Sequence, residues 1–152
     1  MSRFSKKSPK LLYNTIQFKS QLELNCFKLF EENDLLLSYE SKSFLLIPQL
    51  KLNNLTVYLP SRKTKKNNIS SLKEISGILQ KAIYTPDFIL EYKNYIIFIE
   101  TKGLANDAYP LRRKLFFHYL EKDSIENHIN YIFFEPHNIK QILECINIIK
   151  NL

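Results

Sequence analysis

Two carboxylates and a lysine stand at a spacing that can do chemistry. Pro86-Asp87 opens one apolar run, and Glu100-Thr101-Lys102 closes the next. The runs, Ala82–Tyr92 and Tyr95–Lys102, are rich in isoleucine, phenylalanine and tyrosine, and Lys93-Asn94 lies between them as a turn. A symmetric hairpin with Tyr92 facing Tyr95 sets Asp87 directly opposite Glu100. Opposed side chains share a face, with Cβ atoms about 4.5–5.5 Å apart. Lys102, two residues past Glu100, points the same way, and Thr101 between them points its side chain to the other face. Ile89, Ile96 and Phe98 flank the carboxylates on their own face, so the charged cluster ends an otherwise apolar surface.

Two carboxylates so placed repel, and burial raises that cost. A divalent cation removes it. Magnesium takes one or two carboxylates, waters and substrate phosphate, and manganese is expected to substitute for it. Asp87 and Glu100 are the expected metal ligands, with the Thr101 carbonyl available beside them. Lys102 can orient or deprotonate an attacking water, or offset charge that develops on a phosphoryl group. This is equipment for metal-assisted phosphodiester hydrolysis. The plainer alternative is a same-face Glu100–Lys102 charge pair with a turn aspartate nearby. Against it stand the apolar run that the motif terminates, Gly103 after it, and Pro86-Asp87 at matching register.

The elements that must position these groups read as follows. Residues 1–17 form a basic arm or irregular lead-in. A helix runs from Ser20 to about Phe30, with Leu22, Cys26, Leu29 and Phe30 at helical spacing; Ser20 and Glu23 make a capping-box pattern. Short strands are expected at Phe44–Leu50 and Leu55–Leu59, and a weak helix at Ser71–Gln80. After the hairpin comes a helix over Ala108–Glu121, with Pro110 in its first turn and an apolar stripe of Leu111, Leu115 and Tyr119. Tyr131–Phe134 reads as a central strand and Ile139–Ile149 as a closing amphipathic helix. The order predicts one α/β or α+β domain with a mixed sheet flanked by helices.

Thr85-Pro86-Asp87-Phe88 followed by Phe98-Ile99-Glu100-Thr101-Lys102-Gly103 resembles the PD-(D/E)xK nuclease superfamily, over about residues 18 to 135. Its nearest flavour is the small phage and prophage endonucleases, including Holliday-junction-resolving enzymes of the endonuclease I type. In those, an F-x-S-x-x-E element opens the first helix, matched here by Phe18, Ser20 and Glu23. The resemblance implies a restriction-endonuclease-like core in αβββαβ order over residues 18–152. It implies Asp87 and Glu100 on the metal, Lys102 as the catalytic lysine, and Glu23 completing the site, although capping alone also accounts for Glu23. A basic residue on the following helix is implied near the scissile phosphate. Arg113 and Lys114 are the candidates, with Arg112 beside them. The stretch from Leu50 to Lys81 has no counterpart in the compact core.

Composition agrees with a globular domain: 152 residues, 45% hydrophobic, 24% charged and a net charge of +7. Basic residues cluster before Glu23 and again at Arg62, Lys63, Lys65 and Lys66, a basic insertion at about residues 60–70 suited to phosphate contact. Only Gly77 and Gly103 are present, so no phosphate-cradling glycine motif exists and no nucleotide cofactor is expected. No apolar run nears the roughly 20 residues of a membrane span. Cys26 and Cys145 suit inert core thiols in a reducing cytoplasm, bacterial or phage-infected, and His118, His128 and His137 form no ligand pair. The expected activity is therefore a magnesium-dependent DNA endonuclease, structure-selective for branched DNA, with branched or duplex DNA as its partner, and dimeric because junction resolution needs two incisions. The alternatives are a sequence-, mismatch- or transposon-end-directed nuclease and a non-catalytic nucleic-acid-binding protein on a nuclease core.

Overall fold

The computed structural model describes residues 11–60, 72–75, 77–103 and 108–152. The described residues begin with a hairpin, β1 (Leu11–Tyr13) and β2 (Ile16–Phe18), within the stretch expected as an arm or irregular lead-in. Asn14 and Thr15 both take positive φ, 45° and 68°, which is the backbone twist that two-residue hairpin turns favour. Helix α1 (Gln21–Glu31) follows, with Ser20 as its N-cap. Then come β3 (Ser38–Tyr39), β4 (Phe44–Ile47), β5 (Leu50–Lys51), β6 (Tyr58–Pro60), β7 (Leu72–Glu74), β8 (Ile78–Leu79) and β9 (Ala82–Tyr84). The chain continues through β10 (Phe88–Tyr92), β11 (Tyr95–Ile99), α2 (Tyr109–Asn127), β12 (Asn130–Phe134) and α3 (Ile139–Lys150). The protein is thus mixed α+β, with three helices and several small sheets among the described residues.

Contacts group the chain into two units: Phe44–Tyr84, and the segments on either side of it. A single domain was the expectation. In the larger unit a four-stranded mixed sheet runs in the order β12-β11-β10-β3. The β10–β11 pair is antiparallel with Tyr92 opposite Tyr95 and Phe88 opposite Ile99, the register that a symmetric two-residue turn imposes. Strand β12 lies parallel to β11 at the sheet's end rather than at its centre, as the helical crossover through α2 requires. One face of the sheet carries Phe88, Leu90, Ile97 and Ile99 into a core with Leu24, Cys26 and Phe30 of α1 and Ile142, Ile146 and Ile149 of α3. On the other face Phe98 meets Phe116 of α2 edge-on, with ring centroids 5.2 Å apart. The buried side of α2 is Tyr109, Phe116 and Leu120, whereas Leu111 of the expected stripe is exposed. Burial raises both thiols, that of Cys145 to about 11, which disfavours the reactive thiolate. No described helix is long and apolar enough to cross a membrane.

The second unit is a nested series of antiparallel pairs, β4 with β9, β5 with β8 and β6 with β7. The helix expected at Ser71–Gln80 is absent: its described residues form β7 and β8. The spacing of Leu72, Ile75 and Ile78 suits a helix, but strands distant in sequence capture the backbone groups. Ile75 donates to the Val57 carbonyl at 3.0 Å and Leu52 donates to the Gly77 carbonyl at 2.6 Å. A Cβ on Gly77 would lie 3.0 Å from the Leu52 carbonyl oxygen, so the close approach needs glycine. The run Ala82–Tyr92, expected as one strand, is broken at Thr85–Asp87, where Pro86 has no N–H to donate. The basic residues Arg62, Lys63, Lys65 and Lys66 and the first ten residues of the arm lie outside the described residues.

The N-cap of α1 is a direct consequence of sequence. The Ser20 hydroxyl accepts from the Glu23 N–H at 3.1 Å and donates to Glu23 Oε1 at 2.8 Å. Replacing Ser20 with Ala is expected to lower stability by about 1 kcal/mol, the usual cost of a lost N-cap. Urea unfolding would show this as a shifted midpoint with an unchanged slope.

Candidate active site

The ladder between β10 and β11 ends at Phe88 and Ile99, and the chemically distinctive residues come immediately after it. Glu100 is held there because its N–H donates to the Phe134 carbonyl at 2.9 Å, and Lys102 because its N–H donates to the Pro136 carbonyl at 3.0 Å. The continuation of β12 thus clamps both residues of the motif. Asp87 is held from the other side: its carbonyl accepts from the Glu40 N–H at 2.8 Å, just past β3.

The side chains converge. Glu100 Oε2 accepts from the Asp87 N–H at 3.3 Å, and Glu100 Oε1 accepts from Lys102 Nζ at 2.8 Å. Asp87 Oδ2 accepts twice from Thr101, from its N–H and from its hydroxyl, both at 2.8 Å. Thr101 was expected to point away. Strict alternation holds only within the ladder, and beyond its end at Ile99 the hydroxyl reaches Asp87. Glu100 and Thr101 are buried. Burial pushes the Asp87 carboxyl up to about 7; the neighbouring Glu100 charge adds to this, and the Thr101 hydrogen bonds oppose it.

Glu23 is buried as well, but its carboxylate already accepts three hydrogen bonds. These come from the Ser20 hydroxyl at 2.8 Å, the Lys19 N–H at 3.0 Å and the Tyr39 hydroxyl at 2.7 Å. Its charge is felt at Asp87, raising that carboxyl further. Capping and proximity to the site therefore coexist in one residue. Tyr39 is the link that α1 alone would not reveal: it holds Glu23, and its ring lies 5.5 Å from that of Phe88.

A further group of residues surrounds Lys102, and sequence reasoning missed most of it. The ammonium sits 3.8 Å from the centroid of the Tyr109 ring, a cation–π contact. Tyr109 donates its hydroxyl to Glu135 Oε2 at 2.8 Å, and Arg113 donates to the same oxygen at 2.5 Å. His137 Nε2 lies 3.1 Å from Glu135 Oε1. These bonds to Arg113, Tyr109 and His137 hold the Glu135 carboxyl below the ordinary range despite its partial burial. Arg113 and Lys114, indistinguishable by sequence, are now separated: Arg113 turns inward to Glu135, while Lys114 and Arg112 are exposed. Tyr109 and Arg113 are four apart on α2, a spacing that signals one helix face, but nothing local announces Glu135 as their partner.

Among the described residues no three histidine, cysteine or acidic side chains form a ready-made metal cage. Asp87 and Glu100 nonetheless suit a hard divalent cation that brings its own waters, since magnesium uses few protein ligands. The fit rests on the donor set: the carboxylates of half-buried Asp87 and buried Glu100 lie close enough to oppose each other's ionisation, and a cation would relieve that repulsion. No protein-family model, curated protein or solved structure matches the chain.

Proposed function

We propose that this protein is a metal-dependent DNA endonuclease of the PD-(D/E)xK kind, selective for branched DNA, which cuts as a homodimer in the cytoplasm. The observation that carries the reading is the half-buried Asp87 beside the buried Glu100, with Lys102 Nζ 2.8 Å from Glu100, at the end of an apolar hairpin. The order α1, β3, β10, β11, α2, β12 is compatible with the αβββαβ arrangement of the restriction-endonuclease-like core.

In this reading Asp87 and Glu100 hold magnesium or manganese, with the Thr101 carbonyl available as a further ligand. The bound ion supplies Lewis-acid polarisation of the phosphoryl oxygen and lowers the pKa of a ligated water. Thr101 orients Asp87 through its two hydrogen bonds to Oδ2, so that Oδ1 would be the oxygen available to hold the ion. Lys102, steadied by the Tyr109 ring, places its ammonium beside Glu100, where it can position the attacking water or offset phosphoryl charge. Glu23 adds negative charge to the site while its carboxylate is occupied by Ser20, Lys19 and Tyr39. Arg113 is held at Glu135 within reach of the Tyr109 ring, 5.5 Å from its centroid, and serves as the cation for the substrate phosphate.

A labelled four-way junction and a matched linear duplex, incubated with the protein in magnesium or in EDTA, test this directly. Paired nicks near the branch in magnesium, abolished by EDTA, are expected. Equal cutting of both substrates would remove the junction selectivity and leave the nuclease. Binding without cutting in either magnesium or manganese would overturn the enzymatic reading.

A further inference from the structure

The protein's net positive charge is segregated, and the unit that holds the candidate site is close to neutral. Phe44–Tyr84 carries seven lysines and arginines against one acid, Glu74, and so accounts for six of the seven net positive charges. The rest of the chain has fifteen basic and fourteen acidic residues, four of the basic ones within the first ten positions. A polyanion gains little net attraction from the unit that holds the candidate carboxylates, and most of its attraction must come from elsewhere.

We infer that the Phe44–Tyr84 unit is the arm that binds duplex DNA, by contact with the phosphate backbone. The inference rests on the proposed reading that the substrate is DNA, but concerns affinity rather than chemistry. Three lysines of the arm lie at described positions and are exposed: Lys51, Lys73 and Lys81. Glu74, the lone acid, receives the Tyr58 hydroxyl across the β6–β7 pair at 3.2 Å. The arm also exposes Leu50, Leu59, Leu72, Ile78 and Leu79. Apolar exposure beside lysines can serve a lipid surface, but that requires the two kinds of side chain on opposite faces. Here they share faces. Lys73 is the direct cross-strand partner of Leu59, and Lys51 that of Ile78. Lysines distributed along paired strands instead suit a rod of regularly spaced phosphates, and a two-stranded β-ribbon is narrow enough to lie against a duplex.

The test uses the full chain in EDTA, so that binding is read without cleavage. Affinity for a linear 30-base-pair duplex (about three helical turns) is measured across a salt series for wild type and for a Lys51→Gln/Lys73→Gln/Lys81→Gln variant. Each lost phosphate contact lowers the slope of log K against log salt by about 0.9. A slope reduced by roughly 2–3, with a tenfold or greater loss of affinity at low salt, is expected. Cleavage at saturating DNA in magnesium should be unchanged, because no residue of the site is altered. Asp87→Asn should show the reverse, an unchanged slope and no cleavage, so failure of the arm and failure of the nuclease reading are distinguishable. The substituted side chains are exposed, and a far-ultraviolet circular dichroism spectrum matching wild type would verify folding. An Arg112→Gln/Lys114→Gln variant on α2 measures the contribution of the larger unit and should move the slope less. An unchanged slope in the triple-lysine variant would overturn the inference. So would a larger loss of binding to phosphatidylserine vesicles than to duplex.

Discussion

Asp87→Asn and Lys102→Ala are both expected to abolish cleavage, by about 10³-fold or more, while shifting stability in opposite directions. Asparagine is isosteric with aspartate, and its side-chain oxygen can still accept from the Thr101 N–H and hydroxyl, which lie 2.8 Å from Asp87 Oδ2. What the substitution removes is a half-buried negative charge opposed by Glu100. The metal-free protein should therefore become more stable at neutral and higher pH. Lys102→Ala acts the other way. Lys102 and Glu100 form an ion pair with side chains only 20% and 8% exposed, so deleting the lysine strands a buried carboxylate. A loss of roughly 3 kcal/mol follows, the low end for breaking one partner of a buried pair. The Tyr109 ring also loses the cation it supports. Single-turnover cleavage together with urea unfolding of the metal-free proteins checks both halves. Loss of activity with identical stability changes would show that the two residues do not share the electrostatic arrangement described.

Magnesium should stabilise the protein strongly at pH 8 and little at pH 5, through Asp87. Its folded-state pKa, about 7, lies above the ordinary carboxylate value, chiefly because burial disfavours the ionised form. A group raised in this way contributes stability that is fully present below its unfolded value. That contribution is lost as pH rises through the folded value. Metal-free protein should therefore lose on the order of 3–4 kcal/mol between about pH 4 and pH 8 from this residue. A cation bound by Asp87 and Glu100 supplies the missing counter-charge at pH 8. At pH 5 it must first displace a proton, which weakens binding. Thermal unfolding with and without saturating magnesium, at both pH values, would reveal the difference. At about 100 times its dissociation constant, the ion adds close to 2.7 kcal/mol. Asp87→Asn should erase both the pH slope and the magnesium effect. A magnesium effect of equal size at pH 5 and pH 8 would mean that the ion binds elsewhere.

The arm inference and the site reading divide the work of the chain physically. Buried carboxylates are needed to hold a cation, yet they repel the polyanion on which the ion would act. Moving positive charge to Phe44–Tyr84, where seven basic residues face one acid, separates attraction from chemistry. Affinity can then change with salt and lysine content while the electrostatics around Asp87 stay intact.

Much of this was legible in the sequence because the decisive pattern is local. A two-residue turn at Lys93-Asn94 between apolar runs admits one symmetric register, and that register brings Asp87 to Glu100 and Lys102. Ser20 with Glu23, and the apolar spacing of Ile142, Cys145, Ile146 and Ile149, likewise identify α1 and α3 from neighbouring residues alone. Other features depend on partners far along the chain. Ser71–Gln80 carries helical spacing, but pairing with Leu50–Pro60 made its described residues strands. Thr101 turned toward Asp87 because the ladder stops at Ile99, an end set by the chain around it rather than by its own residue types. Glu135, twenty-six residues from Tyr109, became the anchor of Lys102's surroundings only when β12 docked beside β11. Periodicity and turn chemistry act over a few residues, so the sequence by itself determined the hairpin, its register and the carboxylate–lysine cluster. Burial, the raised Asp87 carboxyl and the turn of Arg113 toward Glu135 arise from long-range packing, which only the tertiary structure decided.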